Sequence, residues 1–219
     1  MGDAAPDFEA RSTKGPIRLS DFRGRWLVFF SHPADFTPVC TTEFVALAKA
    51  YDRFDALGCA LLGLSVDSLY AHLGWTRAIR DLFSVEVPFP VIEDPSMQVG
   101  RAYGMIDEGA QSSAGVRAAY FIDPEGIVRA TTHYPLNIGR SIDEMVRMVA
   151  ALQASYSGEK LAPADWQPGE PLLLPANEKD QSEPDWFCGS QALKRCGNRV
   201  RKRISQRRNC ANSRNLYDS

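Results

Sequence analysis

The sequence predicts an α/β sandwich built on a mixed β-sheet. Three observations carry this reading: continuous apolar runs of strand length, helix-period segments between them, and a late hairpin signal followed by one more helix. The first run, Arg25–Ser31 (RWLVFFS), reads as a strand buried on both faces. Pro38–Leu57 then shows helical spacing, with Phe44, Leu47, Ala48, Tyr51 and Phe54 on one face. Gly58 stands where a helix stops in the left-handed conformation. Cys59–Val66 (CALLGLSV) is a second buried strand, and Ser68 caps a helix running to about Phe83. Phe89–Ile92 is a short strand, and Ser96–Tyr103 a short helix before Gly104. Ala118–Ile122 and Gly126–Thr132 flank the turn Asp123-Pro124-Glu125-Gly126, a hairpin signal. Ser141 caps a last helix, Ile142–Ser155, whose first turn carries Asp143 and Glu144, where the helix dipole favours acids.

Composition narrows the class further. In 219 residues, 44% are hydrophobic and 24% charged, close to the globular average, which excludes a wholly disordered or fibrous chain. A net charge of −2 gives no global reason to expect a nucleic-acid partner, and no apolar run is long enough to span a bilayer. The average hides an asymmetry. Residues 189–219 hold nine basic residues and one acid, so this tail carries +8 while the remainder carries −10. Five prolines between Pro163 and Pro184 mark an extended arm before it. The expected organisation is an α/β domain at 1–157, an arm at 158–188 and a basic tail at 189–219. The N-terminus lacks a basic-then-apolar signal pattern, so the expectation is a reducing cytoplasm with free thiols.

The most informative stretch is Ser31-His32-Pro33-Ala34-Asp35-Phe36-Thr37-Pro38-Val39-Cys40-Thr41-Thr42-Glu43-Phe44. It joins a buried strand to a long helix, where α/β folds place their ligands. Pro38 suits the first helical position and Thr37 the cap, which sets Cys40 in the first turn. The dipole and unpaired N–H groups there favour an anion, hence a reactive thiolate. The plainer alternative is a cysteine packed under a helix start.

Pro33-x-x-x-Thr37-x-x-Cys40 resembles the active-site motif of peroxiredoxins, and the longer string through Thr41-Thr42-Glu43 is similar to their one-cysteine subfamily. Val116-Arg117-Ala118, before Ala119-Tyr120-Phe121-Ile122-Asp123-Pro124, resembles the segment bearing that family's active-site arginine. The likeness runs from about Asp3 to Cys188 and includes Asp165-Trp166-x-Pro168-Gly169 and Asp185-Trp186-Phe187-Cys188. It implies a thioredoxin-like fold, a mixed central sheet flanked by helices with an extended C-terminal arm, and a thiol peroxidase. It implies Cys40 as the nucleophile, Thr37 as the residue positioning the peroxide, Pro33 as the shield of the pocket, and Arg117 as the stabiliser of thiolate and splitting O–O bond. His32 matches a histidine beside the subfamily's site; a hydrogen-bonded histidine at a strand end is the structural alternative. Implied partners are a peroxide substrate, a thiol reductant such as glutathione or a thioredoxin-type protein, and a second copy of the chain in a homodimer or larger homo-oligomer.

Acidity of a thiol is by itself a weak lever. Bringing a thiol from about 8.5 to about 6 raises its thiolate fraction at pH 7 about 30-fold. The lost nucleophilicity, at a Brønsted slope of about 0.45, removes roughly 13-fold of that gain. Donors aimed at the peroxide oxygens must therefore supply most of the acceleration, a role for Arg117, Thr37 and the helix-start amides.

The remaining cysteines divide. Cys59 opens a buried strand and reads as an inert core residue. Two-cysteine relatives carry a resolving cysteine in a Val-Cys-Pro segment; the matching Leu161-Ala162-Pro163 has Ala162 in its place. Cys188, after Trp186-Phe187, is the best internal candidate for a resolving role, ahead of Cys196 and Cys210, which the basic tail could acidify but gives no fixed geometry; an external thiol is the leading expectation. No C-x-x-C occurs, His32, His72 and His133 lie scattered along the chain, and the cysteine spacings fit no zinc pattern, so neither metal nor cofactor is expected. The lipase-type Gly-x-Ser-x-Gly of some subfamily members is absent from Asp21-Phe22-Arg23-Gly24-Arg25-Trp26. Two other readings stand beside the enzyme: a redox sensor or holdase using Cys40, and a polyanion-binding role for the basic tail, whose plain alternative is a solvated extension.

Overall fold

The computed structural model describes residues 1–106 and 116–175. Cys188, Cys196, Cys210, the basic tail and the last part of the arm lie outside the described residues. The chain divides into two compact units, with the boundary between Val149 and Ala150.

The first unit holds one seven-stranded sheet. Its strands are β1 (Glu9–Ser12), β2 (Gly15–Arg18), β3 (Trp26–Ser31), β4 (Cys59–Ser65), β5 (Val91–Glu93), β6 (Arg117–Ile122) and β7 (Val128–Tyr134). Spatial order is β2-β1-β5-β4-β3-β6-β7. β3 pairs in parallel with β4, and β4 with β5, while β6 runs antiparallel to both β3 and β7. The helices are α1 (Pro38–Lys49), α2 (Tyr51–Asp55), α3 (Leu69–Phe83), α4 (Gln98–Ala102) and α5 (Ile142–Ala154), which crosses the unit boundary. This is the mixed α/β architecture expected from the sequence.

The all-apolar central strands explain themselves: every residue of β3 is buried, because helices and loops cover both faces. One core layer is built from Phe29, Leu62, Leu64, Ile92, Tyr103, Ala118 and Ile122. In another, Phe44 of α1 stacks on Trp75 of α3, ring centroids 4.4 Å apart, and Phe44 also meets Phe30 and Phe89.

Several elements differ from expectation, β7 running Val128–Tyr134 rather than Gly126–Thr132 and α4 Gln98–Ala102 rather than Ser96–Tyr103. The hairpin β1–β2 was not anticipated; its alternating burial is weak and its strands have four residues each. The long helix after Pro38 is broken in two at Ala50, whose φ of −92° and ψ of 0° lie off helical geometry. β5 begins two residues later than expected, at Val91. Ser68 does cap α3, accepting from the Ala71 amide at 3.3 Å. The Asp123–Gly126 turn closes the β6–β7 hairpin with a 2.9 Å bond from the Gly126 amide to the Asp123 carbonyl, Gly126 taking φ +75°.

The β3–β6 ladder ends at Phe30 and Ala119. Beyond it, the Ala118 amide donates to Ser31 Oγ at 3.2 Å, and Ser31 Oγ donates to the Val116 carbonyl at 2.5 Å. A side chain thus takes over where backbone pairing stops, at the strand ends beside which α1 begins.

In the second unit, the described part of the arm turns back on itself. Leu161 and Leu173 exchange two backbone bonds of 2.8 Å, and Trp166 Nε1 donates to the Glu170 carbonyl at 2.9 Å.

Candidate active site

Cys40 lies in the first turn of α1, two residues after Pro38, and is fully buried. Thr37 occupies the cap position, but its side chain does not cap. Its hydroxyl donates instead to the Ala34 carbonyl at 2.9 Å, which fixes the preceding loop. The hydroxyl proton is thereby committed, and the Thr37 oxygen can only accept from anything else. The helix-start amides keep their donors for another acceptor, the setting that favours an anion. Pro33 is buried in the same loop, next to His32. Phe36, exposed, takes φ +58°, a left-handed turn that redirects the chain into the helix.

Arg117, the first residue of β6, reaches Cys40 directly: Nη1 lies 3.3 Å from Sγ. The guanidinium is held on its other side by the Leu136 carbonyl, which accepts from Nε at 3.0 Å and from Nη2 at 2.8 Å. Nη1 also donates to Glu43 Oε2 at 2.8 Å. Glu43 follows Cys40 by three residues and so shares its helix face.

A second arginine completes the centre. Arg140 binds Glu43 in a fork, Nε to Oε1 and Nη2 to Oε2, both at 2.9 Å, and its amide adds a 2.7 Å bond to Oε1. Its Nη1 donates to the Ser31 carbonyl at 3.0 Å and the Ala118 carbonyl at 2.8 Å, across the gap where β3 and β6 part. Its guanidinium carbon lies 5.1 Å from the Phe30 ring centroid. Burial pushes the Glu43 carboxyl up, but Arg140, by charge and hydrogen bonds, and then Arg117 outweigh it and hold the group below the ordinary carboxylate range. Two guanidiniums against one carboxylate leave one positive charge beside Sγ, which a thiolate neutralises.

Sequence reasoning singled out Cys40, Thr37, Pro33, His32 and Arg117, and the structure places the first four on one loop-and-helix start with Arg117 on Sγ. It missed the roles of Glu43 and Arg140. Glu43 carried a signal, an acid on the apolar face of a helix, which demands a cation; nothing local in the sequence marks Arg140.

The histidines require a correction. His32 and His72 are not scattered: both contact Asp35, His32 Nε2 at 2.8 Å from Oδ1 and His72 Nδ1 at 2.7 Å from Oδ2. His32 directly follows β3 and His72 lies in the first turn of α3, after the adjacent parallel strand β4, so parallel pairing brings distant stretches of chain together. These three side chains form a group whose potential ligand atoms lie within 4.8 Å of one another. His72 reaches out of the group through Nε2, 3.2 Å from the Ile92 carbonyl, and His32 Nδ1 is left without a partner.

Cys59 behaves otherwise. Burial pushes its thiol up to about 12, with the Val28 backbone and Arg25 opposing only weakly. It is a core residue with no chemistry at neutral pH.

A buried thiol at a helix start, against a fixed guanidinium on a mixed sheet of this order, defines a cysteine-dependent oxidoreductase with a thioredoxin-like fold. The comparisons with known proteins make it specific. Residues 1–131 match the AhpC/TSA family, and residues 151–183 match the C-terminal domain of 1-Cys peroxiredoxin. The chain belongs to the peroxiredoxin family and is a thiol-dependent peroxidase. It is 48% identical over 190 residues to Peroxiredoxin 2 of Thermoplasma acidophilum, covering 84% of this chain and 94% of that one. It is 50% identical over 175 residues to Peroxiredoxin 2 of Caldanaerobacter subterraneus, covering 80% and 79%. Among solved structures, a yeast mitochondrial 1-Cys peroxiredoxin aligns with a TM-score of 0.75 at 34% identity, covering 88% of this chain and 95% of that chain. Peroxiredoxin 6 of Arenicola marina, in a cysteine-to-serine mutant form, aligns with a TM-score of 0.75 at 32% identity, covering 82% and 86%.

Proposed function

We propose that this peroxidase reduces hydrogen peroxide and organic hydroperoxides through a sulfenic acid at Cys40 and is regenerated by an external thiol. The contact that carries the reading is Arg117 Nη1 on Cys40 Sγ at 3.3 Å inside a buried, net-positive centre. The thiolate attacks one peroxide oxygen; the O–O bond breaks, and its electron pair leaves on the other oxygen, which takes a proton to become water or an alcohol. Cys40 becomes a sulfenic acid. A thiol condenses with it, releasing water and forming a mixed disulfide, and a second thiol restores Cys40 as a disulfide departs.

Thr37 and Arg117 divide the work on the substrate. The Thr37 oxygen, its proton committed to Ala34, accepts the hydroperoxide O–H. Arg117 stabilises the charge that develops along the breaking O–O bond. Pro33 keeps water from the loop, and His32 is the accessory group. Glutathione or a thioredoxin-type protein supplies the thiols; in support, the aligned yeast enzyme is described as resolving its thiol via glutathione/thioredoxin systems. The organisation proposed is a peroxidase domain at 1–157, an arm at 158–188 and a basic tail at 189–219, working as a homodimer or larger homo-oligomer in the cytoplasm. Cys188 is the minority resolving route. The test offers peroxide with glutathione or thioredoxin separately. Continued turnover with either, abolished by Cys40→Ser and retained by Cys59→Ser, is expected; substantial turnover by Cys40→Ser removes the mechanism, and a single oxidation without turnover makes the protein a sensor.

A further inference from the structure

The chain His32–Asp35–His72 has a donor–acceptor arithmetic of its own. All three side chains are buried, at 0%, 2% and 0% exposure. Each Asp35 oxygen lies within hydrogen-bond distance of one histidine, Oδ1 of His32 Nε2 at 2.8 Å and Oδ2 of His72 Nδ1 at 2.7 Å. The far nitrogen of His72, Nε2, faces the Ile92 carbonyl at 3.2 Å. The far nitrogen of His32, Nδ1, is buried with no hydrogen-bond partner.

We propose that His72 is a positioning residue: as an imidazolium it compensates the Asp35 carboxylate, and Asp35 thereby fixes His32 as the neutral tautomer protonated on Nε2, with Nδ1 a bare acceptor in the loop that leads to Cys40. This rests on the peroxidase reading only for its use, not for its geometry.

The proton count singles out this arrangement. His72 has an acceptor at each ring nitrogen, so both nitrogens donate and the ring is a cation. A neutral His72 donating to Asp35 would turn a lone pair on the Ile92 carbonyl and leave a buried carboxylate uncompensated. Placing the charge on His32 would strand an N–H at Nδ1 with nothing to receive it, a costly orphan. Moving the proton from His72 onto Asp35 keeps every contact, but the bonds from His32 and His72 outweigh burial and favour the Asp35 carboxylate in its ionised form.

The surrounding charges agree. Burial lowers the His32 affinity for a second proton more than Asp35 restores it, and His72 and Arg140 oppose a charge there. Burial pushes Asp35 up, and its bonds from His32 and His72 outweigh that and hold it low. Glu93 of β5 shares the field of His72, while its Oε2 accepts from the Leu69 amide at 2.8 Å at the start of α3. The backbone of Asp35 is itself pinned, its amide donating to Asp67 Oδ2 at 2.9 Å. His32, edge-on to Phe44 at 4.8 Å and tilted on Trp75 at 5.1 Å, cannot turn to exchange its nitrogens. The result is a histidine, at the start of the loop that leads to Cys40, that can receive a proton or hydrogen bond on Nδ1 but has none to give from it.

The experiment is nitrogen NMR on reduced, full-length chain labelled at its three histidines, at pH 7, with His133→Gln assigning the third ring. Two protonated nitrogens on His72 and one on His32, at Nε2, are expected. A neutral His72, or a His32 protonated at Nδ1, overturns the proposal. His72→Asn keeps a donor toward Asp35 but cannot carry the charge. In that variant, with folding confirmed by near-ultraviolet circular dichroism, His32 is expected to lose its single tautomer; an unchanged His32 spectrum overturns the proposal, and if the variant does not fold the wild-type spectrum decides. No peroxide enters the measurement, so loss of this charge arrangement and loss of the peroxidase reading give different results.

Discussion

Replacing Glu43 by glutamine tests whether the charge between the two arginines holds the first unit together. The carboxylate accepts four hydrogen bonds, three from Arg140 and one from Arg117. Glutamine keeps the volume and one oxygen, but its amide nitrogen presents hydrogens to guanidinium hydrogens. Two cations, with side chains 0% and 3% exposed, are left with Cys40 Sγ, 3.3 Å from Arg117, as the one anionic partner in place of a carboxylate. Breaking a buried pair by removing one partner costs about 3–5 kcal/mol, much of it the stranded charge. For a chain of this size that corresponds to a midpoint lower by about 6–20 °C. The control is Glu144→Gln, which removes a partly exposed pair with Arg147 on α5 and costs under about 1 kcal/mol. Urea and thermal unfolding of the reduced proteins measure both. A loss below about 1 kcal/mol for Glu43→Gln would refute the claim that this carboxylate is what makes two buried arginines tolerable.

Arg117→Lys keeps the charge and loses the fork that spans Leu136, Glu43 and Sγ; stopped-flow oxidation of Cys40 by peroxide is expected to slow about 100-fold or more, and a rate within about threefold of wild type removes its transition-state role. Stability falls in acid in two stages. His32, held below its ordinary value chiefly by burial, gives a folded state that refuses a proton the unfolded chain accepts, so its contribution to stability is full above about pH 6.5 and is lost below it. Asp35 and Glu43, held low by their partners against burial, contribute stability present above the unfolded carboxylate value of about 4 and lost as pH falls through their lower folded values. Urea midpoints unchanged between pH 7 and 5 would contradict the first stage. Cys59, with its thiol up at about 12, is expected to stay unalkylated by iodoacetamide at pH 8 in native protein and to react in urea; peptide mapping by mass shows which, and equal labelling in both states would make it a surface thiol.

How far the sequence discloses this molecule depends on the range of the forces involved. β3 and β4 were legible because burial on both faces leaves no polar positions, and α3 because Ser68 and a periodic apolar face act within a few residues. The β1–β2 hairpin was not, since short strands near the sheet edge need little apolar sequence. Thr37 was read correctly as the cap position, yet its hydroxyl serves the loop behind it, a choice made by the turn at Phe36. Cys40 and Arg117 stand out in the sequence through their motifs, and the fold brings them to 3.3 Å. Arg140 stands 97 residues from Glu43, and His72 stands 37 from Asp35; only the packed sheet makes them neighbours.

Arg140 and Ser31 also change what solvent exchange can report. At the place where β3 and β6 part, the Ala118 amide is held by the Ser31 hydroxyl, and the Ala118 and Ser31 carbonyls by one guanidinium. In an ordinary sheet, the amide beyond the last rung is among the first to exchange its hydrogen for deuterium. Here that amide donates to the Ser31 hydroxyl and the Val116 carbonyl, while Arg140, which also binds Glu43, ties the Ser31 and Ala118 carbonyls. Its deuterium uptake is therefore expected to slow relative to an unsupported strand end and to rise when Arg140, the link between this gap and Glu43, is lost.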